Sequence, residues 1–269
     1  MNAEQTPSSW VERWDRQQEL YVPFREARFA VMFDALDALT ELEGFTSAPT
    51  VLDLACGPGA IGERLLRHRP EAQCTGVDID PVLLHLARVV AQPFGDQFRI
   101  EERDLATATW ASTFADNSFD VVTSSTALHW LDAEELRNVL AECARILRPG
   151  GLFFNADNLS FPTTQPGLQR IASHIDDGHQ VNAAAGGTET WKQWWDSARL
   201  DAELRQLCEA RDLRFPPAAD AESPPPSLDL YITLLGECGF IEAATIWQRF
   251  DDRVVMARLP GTVHAGDGE

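Results

Sequence analysis

The chain has 269 residues, of which 44% are hydrophobic, enough for one large globular domain with a smaller additional unit. Acidic residues number 42 against 22 Lys and Arg, and the resulting formal net charge of −20 would repel a phosphate backbone, which argues against DNA or RNA as a partner. The five cysteines are scattered without a C-x-x-C pair, which argues against a zinc site or a disulfide framework.

The beginning of the chain predicts a helical leader rather than a targeting signal. It lacks the basic region followed by an apolar run that marks a secreted protein, and no stretch approaches the ~20 apolar residues that span a bilayer. Together with the cysteine usage, this predicts a soluble cytoplasmic protein with no membrane partner. Residues 1–45 have a helical pattern, with Trp10 and Trp14 four positions apart.

From Thr50 the sequence alternates between strand and helix patterns, which predicts a parallel sheet with right-handed crossover connections. The predicted strands are TVLDLA, QCTGVD, QFRIEERD, FDVVTSS and, after an RPGG break, GLFFNAD. The most regular predicted helix is DAEELRNVLAECARIL, where Asp132 and Glu135 have the spacing of a capping box. The end of the chain predicts a helix stopped by Gly239, followed by an antiparallel hairpin that turns at Asp251 and Asp252.

A long segment, residues 158–227, separates the fifth strand from the last helix. It exceeds the length of a plain strand-to-helix connection. It contains a predicted helix, WKQWWDSARLDAELRQLCEARD, and a Pro-rich stretch, PPAADAESPPPS, that predicts an extended connector. Trp191, Trp194 and Trp195 fall at helical spacing, and they are compatible either with core packing or with an aromatic wall for a ligand.

The segment VLDLACGPGAIG, residues 51–62, joins an apolar strand to a helix through a glycine-rich turn. Gly57, Gly59 and Gly62 fit the G-x-G-x-x-G pattern of dinucleotide sites. Asp53, however, stands four residues before Gly57, where a carboxylate would repel a pyrophosphate and attract a ligand that carries an ammonium group. The acid therefore argues against a dinucleotide site.

The sequence D-L-A-C-G-P-G resembles motif I of the class I S-adenosylmethionine-dependent methyltransferases of the small-molecule type. The resemblance covers about residues 50–157 and 228–259, and it implies a Rossmann-like α/β fold: a doubly wound sheet, mostly parallel, closed by a C-terminal antiparallel hairpin. It implies three parts: a helical lid at 1–45, a cofactor-binding core at 46–157 and 228–262, and a helical cap at 158–227 over the acceptor site.

The resemblance implies S-adenosyl-L-methionine as the cofactor. Asp53 would reach its methionine end, Asp78 its ribose hydroxyls and Asp104 its adenine amine. Either Arg25 or Arg28 would pair with the methionine carboxylate, with a solvated helix face as the alternative. The other expected cofactor contacts are Ala55, Gly57 and Gly59 in the turn, and Ile79, Leu105 and Ser124 near the strand ends.

The candidate catalytic residues are one that follows the fourth strand and one at the end of the fifth. His129 would accept a proton from the acceptor, and Asp157 would form the wall of the acceptor pocket or act as its base. A packed or hydrogen-bonded histidine without a catalytic role is the alternative. We expect no metal, because a magnesium site like that of catechol-type O-methyltransferases needs an acid at the end of the fourth strand, where Ser124 and Ser125 stand.

The predicted function is therefore S-adenosylmethionine-dependent methyl transfer to a small-molecule acceptor by in-line displacement. Two other classes stay open at this point. One is a methyltransferase-like protein that binds the cofactor and acts as a regulatory partner without catalysis. The other is an enzyme that uses the sulfonium cofactor for different chemistry. The sequence does not specify the acceptor, the atom that is methylated or the oligomeric state.

Overall fold

The computed structural model describes residues 6–215 and 226–261. In these residues the α-helices are α1 (Pro7–Tyr21), α2 (Arg25–Glu43), α3 (Ala60–His68), α4 (Pro81–Ala91), α5 (Ala133–Ile146), α6 (Pro166–Ala185), α7 (Trp191–Leu200), α8 (Arg205–Arg214) and α9 (Leu228–Glu237). The strands are β1 (Thr50–Leu54), β2 (Gln73–Asp78), β3 (Phe98–Glu102), β4 (Phe119–Ser125), β5 (Leu147–Asn158), β6 (Glu242–Arg249) and β7 (Asp252–Arg258).

The strands form one sheet in the order β3-β2-β1-β4-β5-β7-β6. The first five in this order are parallel, whereas β7 runs antiparallel to both β5 and β6. The predicted doubly wound sheet with a C-terminal hairpin is therefore confirmed. The strand order reverses direction between β1 and β4, which creates a crevice at their carboxyl ends, where sheets of this kind bind ligands.

Helices cover both faces of the sheet, and side chains of β5 alternate between them. Phe153 packs with α5 and α9 on one face, and Phe154 packs with α2 and α3 on the other. Because side chains of a strand alternate, Asp157 lies on the α5 and α9 face, and Asn158 lies on the α2 face. Neighbouring residues at the end of β5 thus serve two different layers of the fold.

The predicted capping box of α5 is confirmed. The Asp132 carboxylate accepts from the backbone N–H groups of Glu134 and Glu135, and the Glu135 side chain accepts from the backbone of Asp132. These bonds satisfy helix N–H groups that have no partner within the helix. They fix the start of α5 directly after the short 3-10 turn Leu128–Trp130, which carries His129.

The helices outside the core differ in number from the sequence pattern. The leader forms two helices, because Pro23 interrupts the pattern between Tyr21 and Arg25. The single helix predicted from Trp191 is divided into α7 and α8, and Asp201 begins a new turn by accepting from the backbone of the residues that follow. Helix α6 was not predicted. Most of the Pro-rich connector lies outside the described residues.

A tryptophan cluster joins the leader to the segment 158–227. Trp10 and Trp14 of α1 pack edge-to-face on Trp194, at ring-centroid distances of 5.2 and 5.0 Å. Trp194 and Trp195 are buried, and the cluster continues onto apolar side chains of α4. The packing interpretation therefore holds for these two residues, while Trp191 lies at the exposed margin of the cluster.

Gly62 is required by close packing between α3 and β3. A Cβ atom at this position would overlap the ring of Phe98, so Gly62→Ala should lower the free energy of unfolding by about 1–3 kcal/mol. Urea denaturation would measure the loss. The matched control is Gly236→Ala in α9, where a Cβ meets no atom within 4 Å and where helix propensity should stabilise the protein slightly. Equal stabilities of Gly62→Ala and wild type would contradict this account.

In the part of the chain that the structure describes, no helix has both the length and the apolar character needed to cross a membrane.

Candidate active site

The glycine-rich turn after β1 forms the centre of the crevice. Ala55, Gly57 and Gly59 all have left-handed backbone conformations, with φ of +49°, +55° and +88°. The turn is held to β2 because the Gly57 N–H donates to Oδ2 of Asp78 at 2.8 Å. A Cβ atom on Gly57 would meet nothing within 4 Å, so a ligand has room to approach the backbone of this turn.

Asp53 is a buried carboxylate on β1, beside the glycine turn. Its Oδ1 accepts from the Thr123 hydroxyl at 3.3 Å, whereas Oδ2 has no hydrogen-bond partner among the described residues. Burial raises the pKa of Asp53 to about 7, and the nearby Asp78 carboxylate adds to this effect. A cationic donor next to Oδ2 would satisfy this oxygen and favour the ionised form.

Asp78 ends β2 and organises the surrounding backbone. Its carboxylate accepts from the N–H groups of Gly57, Ile79 and Asp80 at 2.7 to 2.8 Å. Burial raises the pKa of Asp78 to about 6, against the opposing effect of these bonds. The sequence predicted that Asp78 contacts a ligand at the crevice. The structure shows that Asp78 also holds the backbone of the glycine turn and of the residues after β2. Each carboxylate oxygen can accept two bonds, so capacity remains for a ligand hydroxyl.

The remaining strand-end residues have different environments. Asp104 is partly exposed, and its Oδ1 accepts from the backbone of Ala106 at 3.0 Å. Leu105 packs against the core. The buried Ser124 hydroxyl donates to the Leu54 carbonyl at 3.1 Å, so it ties β4 to β1. The backbone carbonyl of Ile79 accepts from Arg214 at 2.5 Å.

Helix α8 lies over the ends of β2 and β3. Arg211 pairs with Asp80 at 2.6 Å, and Arg214 pairs with Glu102 at 2.6 Å. Helix α6 instead contacts the β6–β7 turn, where Gln169 donates to Asp251 at 2.7 Å. The described residues of the segment 158–227 thus contact the ends of β2 and β3 as well as the β6–β7 turn. The sequence did not identify these arginines, because their partners are distant in the chain.

His129 and Asp157 form a hydrogen-bonded pair at the ends of β4 and β5. Nδ1 of His129 lies 2.7 Å from Oδ1 of Asp157, and the backbone N–H of His129 donates to Oδ2 at 3.2 Å. Asp157 is completely buried, while the His129 side chain is 21% exposed. A proton on Nδ1 directed to the carboxylate leaves the lone pair of the neutral ring on Nε2. This arrangement can accept a proton from a bound molecule.

The two arginines considered for a ligand carboxylate have separate surroundings. Arg28 is buried in an ion pair with Asp252 at 2.5 Å and donates to the Thr126 hydroxyl at 2.9 Å. Arg25 pairs with Asp15 at 2.6 Å, and its charge acts on Asp53, where it lowers the pKa against the dominant effect of burial. The charge of Arg25 therefore acts on the carboxylate beside the glycine turn.

Thr123 was missed by the sequence analysis. The sequence feature that could have identified it is the change from apolar to polar residues after Val121 and Val122 in β4. The parallel register of β1 and β4 places Thr123 directly beside Asp53. The described residues contain no group of three or more His, Cys, Asp or Glu side chains placed to hold a metal ion.

The stability of the ligand-free protein should fall as the pH rises from about 4 to about 7. The folded-state pKa values of Asp53 and Asp78 lie above the ordinary value of 3.8, so the folded protein binds more protons than the unfolded chain in this range. Asp53→Asn should therefore lose less stability than wild type between pH 5 and pH 8 in urea denaturation. A parallel loss in the two proteins would contradict the shifted pKa of Asp53.

Comparison with known proteins identifies the domain around this crevice. A family model described as a methyltransferase domain matches residues 51–151, which include the glycine turn, β4 and His129 and end before Asp157. Residues 51–151 are a methyltransferase domain. The crystal structure of the CurJ carbon methyltransferase shares the fold of this domain, with a TM-score of 0.56 at 15% identity over 87% of this chain and 54% of that chain.

Two curated relatives of this methyltransferase domain are similar in sequence. The ubiquinone/menaquinone biosynthesis C-methyltransferase UbiE of Dinoroseobacter shibae is 34% identical over 134 residues, which cover 50% of this chain and 51% of that protein. The ubiquinone biosynthesis O-methyltransferase of Hahella chejuensis is 29% identical over 212 residues, which cover 76% of this chain and 80% of that protein. The chain thus spans about half the length of the first relative.

S-adenosyl-L-methionine is the cofactor of this class of domain, and two features of the crevice fit it. The unpartnered Oδ2 of Asp53 is an acceptor for an ammonium group, and the open left-handed backbone at Gly57 admits a ligand close to the chain. A dinucleotide would bring its pyrophosphate toward the same carboxylate, which favours the sulfonium cofactor.

Proposed function

We propose that this protein transfers a methyl group from S-adenosylmethionine to a small-molecule acceptor. The observation that supports it best is the pair of His129 and Asp157, which stands at the switch-point crevice of a methyltransferase domain. The relatives are named as C- and O-methyltransferases, which supports the same reaction type. The bound cofactor supplies a methyl group on a positively charged sulfur, already activated for displacement.

In this proposal the carboxylates at the strand ends hold the cofactor. Asp53 would bind its ammonium group, Asp78 its ribose hydroxyls and Asp104 its adenine amine. The glycine turn at Ala55, Gly57 and Gly59 would hold its methionine portion. The remaining proposed contacts are Ile79, Leu105 and Ser124, the last through its backbone because its hydroxyl is engaged by Leu54.

His129 acts as the general base in this proposal. Its Nε2 takes the proton from the nucleophilic atom of the acceptor as that atom attacks the methyl carbon, and Asp157 holds the ring in the required tautomer. A bound S-adenosylmethionine would supply the methyl carbon for this new bond, and its sulfur would keep the electron pair of the broken carbon–sulfur bond. The methylated acceptor then dissociates, and His129 releases the proton to solvent. An acceptor without an exchangeable proton would need alignment alone.

The leader and the segment 158–227 are proposed to form the lid and cap of this site. Helices α1 and α7 are one packed unit through the tryptophan cluster, and α8 covers the ends of β2 and β3. Such a cover excludes water from the reacting groups. The five cysteines are free thiols, in keeping with a proposed location in the reducing cytoplasm.

A non-catalytic role as a cofactor-binding regulatory partner is less well supported. Asp53, Gly57, Gly59 and Asp78 retain the chemistry of a working cofactor site, and a regulator would have no need for the buried Asp157 behind His129.

Calorimetric titration and product analysis test the proposal. S-adenosylmethionine and S-adenosylhomocysteine should bind, and NAD should not. Incubation with methyl-labelled cofactor and a panel of small phenols, carboxylic acids, thiols and quinols should give a labelled product by mass spectrometry. Binding of NAD with none of S-adenosylhomocysteine would refute the cofactor. Binding without any labelled product across the panel would favour the regulatory alternative.

A further inference from the structure

Arg28 has a set of contacts that its ion pair alone does not explain. Its side chain is only 1% exposed, although α2 belongs to the N-terminal leader and precedes the first strand of the sheet. Besides the pair with Asp252, Nη1 donates to the Thr126 hydroxyl at 2.9 Å and to the Ala156 carbonyl at 3.4 Å, and Nη2 donates to Oδ1 of Asn158 at 3.3 Å. One guanidinium thus connects the ends of β4 and β5.

These contacts involve the residues next to the His129–Asp157 pair along the chain, reached from the α2 face of the sheet. Ala156 and Asn158 are the residues on either side of Asp157, and Thr126 begins the loop that carries His129. The backbone N–H of Thr126 also donates to the Ala156 carbonyl at 2.8 Å, so the two strand ends meet here. Arg28 therefore holds both chain segments that supply the pair.

The conformation of Thr126 shows that this loop is constrained. Its φ is +56°, in the left-handed region that β-branched residues rarely adopt. Such strain persists where surrounding contacts hold the residue in place. The hydrogen bond from Arg28 to its hydroxyl is one of those contacts.

We propose that Arg28 is a positioning residue for the His129–Asp157 pair, with its guanidinium fixing the loop after β4 against the end of β5. The inference rests on the proposed function, since it assumes that His129 is the base. It assigns Arg28 to the acceptor side of the crevice, where its charge is matched by Asp252, instead of to the methionine carboxylate. It also makes α2, part of the leader, a structural determinant of catalysis.

The test is Arg28→Lys, which keeps the charge opposite Asp252 but removes the planar fork that bonds three acceptors at once. We expect kcat to fall about 10- to 100-fold, because small displacements of catalytic groups have effects of this size. The pH at half-maximal kcat should shift, while the KM for the acceptor and the Kd for S-adenosylhomocysteine stay within about threefold of wild type.

The matched control is Arg69→Lys. Arg69 is also buried and pairs with a carboxylate, Asp37, at 2.7 Å, with a further bond to the Thr40 hydroxyl, but it follows α3 at the opposite edge of the sheet. Its replacement should lower stability without changing kcat or its pH profile. If Arg28→Lys does not fold, Thr126→Val, which removes only the hydroxyl acceptor, should reproduce the loss of kcat.

The outcomes separate the positioning role from its alternatives. A loss of cofactor affinity of more than tenfold with kcat unchanged would overturn the proposal. It would indicate that Arg28 binds the carboxylate of the cofactor instead. Equal effects of Arg28→Lys and Arg69→Lys would overturn it in favour of a purely structural role. If His129→Ala leaves turnover unchanged, the proposed base fails. If His129→Ala abolishes turnover and both Arg28→Lys and Thr126→Val retain it, the positioning role alone fails.

Discussion

Replacing His129 with alanine should lower kcat by roughly 10²–10⁴, while the affinity for S-adenosylhomocysteine stays near that of wild type. The reason is its place in the site: His129 is paired with the buried Asp157 at 2.7 Å and belongs to the loop after β4, away from Asp78 and Asp104, which we propose to hold the nucleoside. Steady-state kinetics with the acceptor identified by product analysis would measure the loss, and calorimetric titration would measure the affinity.

The control for this prediction is another histidine with a carboxylate partner. His68 lies 2.8 Å from Asp37 on the outer side of α3, so His68→Ala removes the same type of pair at a distance from the crevice. Its kcat should equal that of wild type. A loss of less than tenfold for His129→Ala would leave alignment of the reactants as the whole mechanism and would assign His129 a packing role.

Replacing Asp53 with asparagine should weaken the binding of S-adenosylmethionine by about 1.5–3 kcal/mol, roughly 10- to 150-fold, because the ammonium group loses a charged acceptor. The same change should make the cofactor-free protein more stable at pH 8. Burial raises the pKa of Asp53 to about 7, so wild type must keep an unfavourable buried charge at this pH. Calorimetric titration and urea denaturation of the same preparations would measure both effects.

Asp120→Asn is the matched control for Asp53→Asn. Asp120 lies near the amino end of β4, at the edge of the sheet opposite the crevice. Its carboxylate accepts a hydrogen bond from the Thr50 backbone N–H at 2.8 Å and pairs with Arg148 at 2.6 Å. Its replacement should leave cofactor affinity unchanged. Full affinity of Asp53→Asn would mean that the unpartnered Oδ2 faces something other than the cofactor. Asp78→Ala is a less selective test, because three backbone N–H groups would lose their acceptor.

The fold could be predicted because its signals are local. The apolar run of β1, the turn at Gly57 and Gly59, and the capping box at Asp132 each lie within a few consecutive residues, and each prediction is confirmed by the structure. The right-handedness of crossover connections further restricts how the parallel strands can be arranged. Helix α6 had no comparable signal, because its only fully buried described residue is Ala172 and its apolar pattern is correspondingly weak.

The candidate site could be predicted only in part. The sequence by itself determined which residues stand at the carboxyl ends of the strands. Parallel strands bring these ends to one edge, and Asp53, Asp78, His129 and Asp157 all lie there.

Only the tertiary structure decided which of these residues touch and which arginine serves which partner. The pairing of His129 with Asp157 joins residues 28 positions apart, and that of Arg28 with Asp252 spans most of the chain. Arg25 and Arg28 look alike in the sequence, both in one turn of α2, yet one meets Asp15 and the other the strand ends. The reason is physical: local sequence determines backbone conformation, whereas the partner of a buried charge depends on which distant segments pack around it.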